Sequence, residues 1–464
     1  MSSGDAGQPP GLHPLDRLAR FVGSTPIEDI PDSVLARTRE ILVDSFPVIA
    51  SGMRTPELIA LSERQRQSGS PGPCWIIGSG QTTNRLDAAM LNGIAGAWLD
   101  YDEGNFLANG HPGMQVIPAA LAVGQEMSAS GRAVLATIAL AYEAVARIGM
   151  ATTIKLIINP HGTFGVVGAA LATARLMGMP ADALRNVASL AASACMATNR
   201  HTMLDGATVR NWYAGHSGFM GQMAQRLCES GFSGPSDGVN TTFSLVLGDG
   251  FSWDKALDGL GDRWLLTEGY LKLYPTARYV HSCIDALFDA LHSAQLSIAA
   301  DGFKDIERIE RIEVKAYRLA AYLDNKTPKD WFGTRFSVPF ALATLIVGGR
   351  NGLDAFADEA VADPRIRALA ARIDVSEEAA YTAAYPREQK VSLTIHLNDG
   401  RQIDGRCTIT SGEPTRPHAA ADLQRKYRDL AEPIWGANRA NQLRDALLAI
   451  EDCPDVARLV DFCP

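Results

Sequence analysis

Residues 99–113 read LDYDEGNFLANGHPG and separate two stretches of small apolar residues, AAMLNGIAGAW at 88–98 and VIPAALAVG at 116–124. Apolar residues on both sides of a polar stretch rich in Asp, Asn and Gly predict a helix, a turn and a second helix. Such a turn presents polar side chains at the rim of a helical domain. We therefore take this turn as the starting point for both the fold and the candidate site.

The turn contains the groups needed for proton transfer. Pro112 suits the first position of the second helix, which puts His111 at its N-terminus. The positive end of the helix dipole favours the neutral, proton-accepting form of this imidazole. Asp100 and Asp102 are close enough in sequence to orient the ring or to share protons with it. The alternative is a polar turn whose acids only cap a helix.

Bulk composition restricts the class of protein. A length of 464 residues predicts two or three domains, and a formal net charge of −9 argues against a general nucleic-acid binder. The seven cysteines include no C-x-x-C pair and no zinc-like spacing, so we expect reduced thiols, a cytoplasmic location and no metal. Residues 1–11 are predicted to be a disordered lead-in. No uninterrupted run approaches the ~18 apolar residues of a membrane span, so no membrane partner is expected.

Two more histidines stand near predicted helix starts. His161 precedes the apolar segment 164–178, and His281 follows Lys272 and leads into a helix predicted at 284–299. The first of these helices has a face of small residues that permits close packing, formed by Gly165, Gly168, Ala169 and Ala172. Each histidine also fits a capping role, but the repetition favours a shared active site.

Arg210 stands in the almost uncharged segment GATVRNWYAGHSG at 206–218. A single cation before an apolar helix is a candidate clamp for a substrate carboxylate. The alternative is a structural salt bridge. The glycines here do not form G-x-G-x-x-G after a strand, so the segment predicts no dinucleotide cofactor.

The pattern changes beyond residue 300. Residues 312–317 and 391–397 alternate apolar and polar side chains, which predicts strands. Asn-Asp-Gly at 398–400 predicts a hairpin turn into a strand at 403–409. An apolar helix is predicted at 336–347.

These patterns predict a two-domain protein. The larger domain is all-α and spans 12–267, completed by helices at 415–464. The smaller domain spans 268–414 and is α+β, with an antiparallel sheet.

Several short motifs occur in a specific order along residues 30–430: Asn92-Gly93, Leu99-Asp100-Tyr101-Asp102, His111-Pro112, His161-Gly162-Thr163, Ala214-Gly215, Gly231 to Pro235, Lys272 to Pro275 with His281, and Phe336 to Phe340. In order and spacing they resemble the MmgE/PrpD superfamily. Its members include 2-methylcitrate dehydratase, cis-aconitate decarboxylase and iminodisuccinate epimerase. The resemblance implies an all-α domain joined to an α+β domain, a homodimer, and a cofactor-free site in the cleft between the domains.

The resemblance also assigns positions, and the chain departs from some of them. The acid, histidine and cation positions fall on Asp100, His111, His161, Arg210, Lys272 and His281. Where the family has Lys-Pro-Leu-His-Ala-Gly, this chain has Arg210 and then Tyr213 in place of the lysine and the histidine. Phe340 falls where the decarboxylase has an aromatic hydroxyl, and the segment before His111 is one residue longer. These departures argue against simple transfer of the methylcitrate or cis-aconitate substrate.

We therefore predict a cofactor-independent lyase of the hydro-lyase type, which removes a proton next to a carboxylate of a small di- or tricarboxylic acid. An epimerase or a decarboxylase of a similar acid is the alternative, and a non-catalytic carboxylate-binding protein is the alternative of another class. His161 or His111 is the expected base, with Asp100 orienting it or acting as the acid. His281 completes the catalytic set. The residues expected to bind substrate are Arg210, Lys272, Tyr213 and Asp102.

Overall fold

The computed structural model describes residues 11–299, 302–303, 306–349 and 352–462, so nearly all of the predicted lead-in lies outside the described residues. The helices are α1 Pro14–Ser24, α2 Asp32–Met53, α3 Pro56–Ser68, α4 Arg85–Trp98, α5 Gly113–Glu126, α6 Gly131–Ala151, α7 Phe164–Leu176, α8 Leu184–Ser193, α9 Val209–Glu229, α10 Gly238–Thr241, α11 Trp253–Leu257, α12 Arg278–Ser293, α13 Arg318–Ala321, α14 Trp331–Thr334, α15 Val338–Gly348, α16 Asp358–Ala362, α17 Pro364–Ala370, α18 Ala379–Ala384 and α19 Ala420–Leu448. The strands are β1 Cys74–Ile76, β2 Gln81–Thr83, β3 Thr152–Ile154, β4 Gly248–Phe251, β5 Ile309–Ala316, β6 Ile373–Glu377, β7 Val391–Leu397 and β8 Gln402–Cys407.

The helical domain is assembled through close contacts between small residues. A Cβ on Gly93 of α4 would lie 2.9 Å from the Cα of Gly215 of α9, so these helices touch backbone to backbone. A Cβ on Gly168 of α7 would lie 2.2 Å from a methyl of Val145, which confirms the predicted small-residue face. The contact between Gly93 and Gly215 brings α4 close to the start of α9, where the candidate site forms.

Helix α6 lies in the centre of this domain. It is the one helix of the described chain that is long and apolar enough to cross a membrane, and 89% of that stretch is buried inside the protein. Glu143 and Arg147 interrupt its apolar sequence and pair with each other at 2.7 Å in the core. Burial of this extent is typical of a core helix.

The second domain contains a mixed sheet with strand order β6-β5-β7-β8. The predicted β7–β8 hairpin is confirmed, and β5 pairs antiparallel to β7. Strand β6, however, pairs parallel to β5 and was not predicted. Helix α12 covers the sheet, and a Cβ on Gly405 of β8 would lie 2.1 Å from the carbonyl oxygen of Ala286, so only glycine permits this contact. The helix predicted at 284–299 begins at Arg278 instead.

The two domains have separate apolar cores, and the chain returns to the first one at its end. Leu430 and Leu443 of α19 belong to the core of the helical domain, whereas the strands and α15 enclose the second core. Segments 99–112 and 270–277 contribute residues to these cores and also to the lining of a cavity. Their side chains therefore form the walls of the cleft between the domains.

Candidate active site

The turn after α4 is fixed by two cations. Asp100 has a φ of +48°, in the left-handed region that Asp tolerates better than most residues. Lys272 Nζ donates to the Asp100 carbonyl oxygen at 2.8 Å, and Arg210 Nη2 lies 3.0 Å from Asp100 Oδ1. Asp100 thus joins the end of α4 to the start of α9 and to the segment before α12.

Asp102, and not Asp100, contacts His111. The fully buried Asp102 places Oδ2 3.1 Å from His111 Nδ1 and Oδ1 3.6 Å from Lys272 Nζ. Burial alone would raise the pKa of Asp102, but His111 and Lys272 together lower it below its usual range, so the carboxylate stays ionised. The Glu103 carbonyl oxygen also faces Nδ1. Because both acceptors face Nδ1, that atom carries the proton of the neutral ring and leaves Nε2 as an acceptor.

His161 stacks on His111 at the start of α7. The ring centroids are 4.9 Å apart and the planes differ by 21°. Burial, reinforced by the charge of Arg210 and by His111, holds the pKa of His161 well below its usual value, so the ring is neutral. Within the described chain, neither ring nitrogen of His161 has a hydrogen-bond partner. Buried polar atoms without partners are uncommon, and here they border a cavity, which indicates that a ligand supplies the missing contact.

His111 and His161 line a cavity between the domains with about 590 Å³ of empty space, counting its open mouth. Arg200 and Arg210 reach it from the helical domain, and Arg278 reaches it from α12. Asp100 is the one carboxylate residue in the lining that the structure describes. The lining also includes five aromatic side chains, Phe106, Tyr270, Tyr279, Phe336 and Tyr385. A cavity with this charge suits an anionic ligand.

Comparison with known protein families identifies the fold. The family model of the MmgE/PrpD N-terminal domain matches residues 16–251, and that of the MmgE/PrpD C-terminal domain matches residues 274–452. The chain belongs to the MmgE/PrpD family. The sequence resemblance is thereby confirmed.

Curated MmgE/PrpD relatives are enzymes by name. Cis-aconitate decarboxylase of Aspergillus terreus is 22% identical over 96% of this chain and 95% of its own length. A cis-aconitate decarboxylase-like protein of Aspergillus oryzae has the same identity and coverage. 2-Methylcitrate dehydratase of Cupriavidus necator is 24% identical over 72% of each chain. At identities of 22–24%, these relatives support the conclusion that this chain is an enzyme, but they do not show which reaction it catalyses.

In this MmgE/PrpD chain the predicted site residues fall into three groups. Four of them line the cavity: Asp100, His111, His161 and Arg210. Asp102 and Lys272 were predicted to bind substrate but lie behind the lining, where they hold His111 and Asp100 in place. Tyr213 was also predicted to bind substrate, yet its hydroxyl lies 3.4 Å from Thr202 Oγ1 and it does not line the cavity.

His281 does not line the cavity either. It lies in the first turn of α12, not before the helix as predicted, and Arg278 occupies the position facing the cavity. Arg278 Nη1 donates to His281 Nδ1 at 3.2 Å, and Nη2 bonds Glu413 at 2.7 Å. The guanidinium also lies 4.4 Å from the Tyr270 ring centroid. His281 therefore contacts the cavity only through Arg278.

Sequence reasoning missed Glu103, a buried acid beside the site. Its carboxylate accepts from the Tyr142 hydroxyl at 2.9 Å and from the backbone N–H of Gly113 at 2.5 Å, at the start of α5. Burial raises its pKa from 4.5 to about 7. No local sequence pattern indicates this role, because Glu103 lies ten residues before Gly113 and therefore outside the N-cap position where acids are recognised.

We expect Glu103→Gln to remove a pH dependence of stability. Since the folded pKa is about 7 and the unfolded value 4.5, the folded state binds more protons between these values. The free energy of unfolding therefore falls by up to about 3 kcal/mol as pH rises from about 4.5 to about 7. Urea unfolding at pH 5, 6, 7 and 8 should show this slope in the wild type and in the exposed control Glu63→Gln. An unchanged slope in Glu103→Gln would contradict the assignment.

In the part of the chain that the structure describes, no group of three or more His, Cys, Asp or Glu side chains is placed to hold a metal ion. The cavity lining instead offers donors and acceptors for an organic anion. Arg210 Nε and both nitrogens of His161 have no hydrogen-bond partner within the described residues. These atoms are available to form hydrogen bonds with a bound substrate.

Proposed function

We propose that this protein is a cofactor-independent lyase of the hydro-lyase type, which acts on a small di- or tricarboxylic acid through a carbanion next to a carboxylate. The observation that carries the proposal is the pairing of Asp102 with His111, stacked on the neutral His161 in a cavity that three arginines line. A homodimer in the cytoplasm is part of the same proposal, in which the dimer rests on the family resemblance and the location on the cysteine pattern.

His111 is the group that exchanges a proton with the substrate carbon. Its Nδ1 hydrogen-bonds the Glu103 carbonyl oxygen and lies 3.1 Å from Asp102 Oδ2, so Nε2 is free to accept the proton. The ionised Asp102 then stabilises the imidazolium that forms, in the way that a buried carboxylate assists a histidine base. This assigns the orienting role to Asp102 in place of Asp100.

The cations stabilise the negative charge that develops on the substrate. Loss of a proton next to a carboxylate places charge on the carboxylate oxygens, and preorganised cations in a site shielded from water lower the energy of that state. Arg210 is the leading candidate for this role, because Asp100 holds its Nη2 in place while its Nε has no hydrogen-bond partner. His161, uncharged and within the same cavity, donates a hydrogen bond to the leaving hydroxyl, which departs as water with the proton that His111 took from carbon.

Decarboxylation is the second candidate. The relatives matched over 96% of this chain are named as cis-aconitate decarboxylase or a protein like it. In that reaction a carbon–carbon bond to a carboxylate breaks, CO₂ leaves, and the electron pair remains on carbon. For this reaction His111 carries a proton on Nε2, taken up from water beforehand, and delivers it to that carbon. The two candidates share the carbanion and differ in the group that leaves.

A screen of di- and tricarboxylic hydroxy, unsaturated and amino acids in D₂O, followed by ¹H and ¹³C NMR, tests the proposal. Loss of water supports the hydro-lyase, and release of CO₂ with deuterium in the product supports the decarboxylase. Deuterium exchange or inversion without loss of a group indicates an epimerase. The absence of exchange and of turnover with every acid in the screen would refute the enzyme and leave a binding protein.

We expect turnover to survive prolonged treatment with EDTA followed by desalting. The proposed proton carriers and charge-stabilising groups are all side chains of this chain, so no step requires a metal. The measurement is kcat before and after treatment, with metal content determined by elemental analysis. Loss of activity that Mg²⁺, Zn²⁺ or Fe²⁺ restores would contradict cofactor independence.

A further inference from the structure

The three arginines of the cavity differ in their partners. Arg210 pairs with Asp100 at 3.0 Å, and Arg278 pairs with Glu413 at 2.7 Å. Arg200 has no carboxylate partner among the residues that the structure describes. Its Nε and Nη2 donate to one carbonyl oxygen, that of Ile158, at 3.4 and 3.3 Å.

Arg200 is held in the cavity wall by backbone contacts. Its N–H donates to the Ile157 carbonyl oxygen at 2.7 Å, and the N–H of Asn159 donates to Thr198 at 2.8 Å. These bonds join the segment that carries Arg200 to the segment that leads into His161. The position of the arginine in the cavity wall is thus set by main-chain contacts.

The burial of Arg200 makes its missing partner informative. The residue is only 9% exposed, and it lines the cavity. Removing a charge from water is costly unless an opposite charge accompanies it. A carboxylate is the anion that a planar guanidinium binds best, through two parallel hydrogen bonds.

We propose that Arg200 binds a second, non-reacting carboxylate of the substrate, so that Arg200 selects acids with at least two carboxylates. This inference rests on the proposed function and deepens it. Arg210 lies at the reacting end with Asp100, whereas Arg200 anchors the distal carboxylate and sets the distance between the two groups. Arg278, whose charge is balanced by Glu413, forms part of the cavity wall and is not the primary anchor.

The test uses the full-length protein and two probes, succinate and citrate, whose binding is measured by calorimetry. The variants are Arg200→Gln and Arg200→Lys, with the exposed Arg66→Gln as the matched control for loss of one positive charge. We expect Arg200→Gln to weaken binding of the better probe about 10- to 100-fold, the range for lost hydrogen bonds to a charged group. Arg200→Lys should recover part of the affinity, and Arg66→Gln should bind as the wild type does.

A purely structural arginine would behave differently. Because Arg200 has no carboxylate partner to leave unpaired, ligand-free Arg200→Gln should melt no lower than the wild type. With the substrate found in the screen, Arg200→Gln should raise KM at least about tenfold while kcat changes much less, since the lost contact is distant from the reacting carbon. A fall in kcat alone, or a lower melting temperature without a change in probe affinity, would overturn the proposal.

The outcomes separate this inference from the proposed reaction. If the wild type binds a probe through Arg200 but exchanges no C–H proton of any acid, the lyase is refuted and the anchor stands. If the wild type turns over an acid and Arg200→Gln keeps both KM and probe affinity, the anchor is refuted and the lyase stands. Failure of the wild type to bind either probe also overturns the anchor.

Discussion

His111→Ala is expected to lower kcat by about 10²- to 10⁴-fold, the usual contribution of a general acid–base group, with a much smaller change in KM. His111 lines the cavity, and its Nδ1 is held by the Glu103 carbonyl oxygen beside the Asp102 carboxylate, so Nε2 is the ring atom left for proton transfer. Asp102→Asn should also lower kcat strongly, because an amide neither fixes the tautomer nor stabilises the imidazolium. Steady-state kinetics on the substrate identified in the screen is the measurement.

A matched histidine outside the cavity provides the control. His396 lies on β7, where its Nε2 is 3.4 Å from Glu313, so it also has an acidic partner. His396→Ala should retain wild-type kcat. Circular dichroism should show all variants folded. A folded His111→Ala variant with wild-type turnover would remove His111 from the mechanism and transfer the base role to His161.

The local sequence was sufficient to predict the two imidazoles. His111 precedes the apolar helix α5, and His161 precedes the apolar helix α7. The N-termini of helices in one domain were expected to lie at a common edge. The pattern could not predict which acid contacts His111. The left-handed turn at Asp100 directs that side chain to Arg210 and leaves Asp102 facing the imidazole. Only the three-dimensional turn decides this.

The missed residues depend on contacts distant in sequence. Arg200 and Arg278 look like ordinary charged residues until tertiary packing buries them at the cavity. His281 was predicted to reach the site, but α12 begins before it and presents Arg278 there. Strand β6 was missed for the same reason. It lies about sixty residues after β5 in the chain and pairs parallel to it, so no hairpin turn in the sequence indicates the pairing. Periodicity identifies an element but does not identify its partner.

Lys272→Met is expected to lower the free energy of unfolding by about 3–5 kcal/mol, the range for breaking a buried ion pair by removing one partner. Lys272 is fully buried, and its Nζ lies 3.4 Å from Asp100 Oδ2 and 3.6 Å from Asp102 Oδ1. Methionine preserves most of the volume but leaves both carboxylates without this cation. Urea unfolding at pH 7 is the measurement, and the exposed Lys329→Met should stay within about 0.5 kcal/mol of the wild type.

The pH dependence of the same variant distinguishes lost charge from lost packing. In the wild type, Lys272 helps to hold the pKa of Asp102 below its usual value. Without that cation, chiefly His111 opposes the effect of burial, so the folded pKa of Asp102 rises toward the unfolded value and the folded variant binds a proton at higher pH than the wild type does. The deficit of Lys272→Met relative to the wild type should therefore shrink as pH falls from 7 toward the ordinary carboxyl pKa of about 4. A deficit independent of pH would mean that Lys272 stabilises the site by packing, and that Asp102 does not depend on it for its charge.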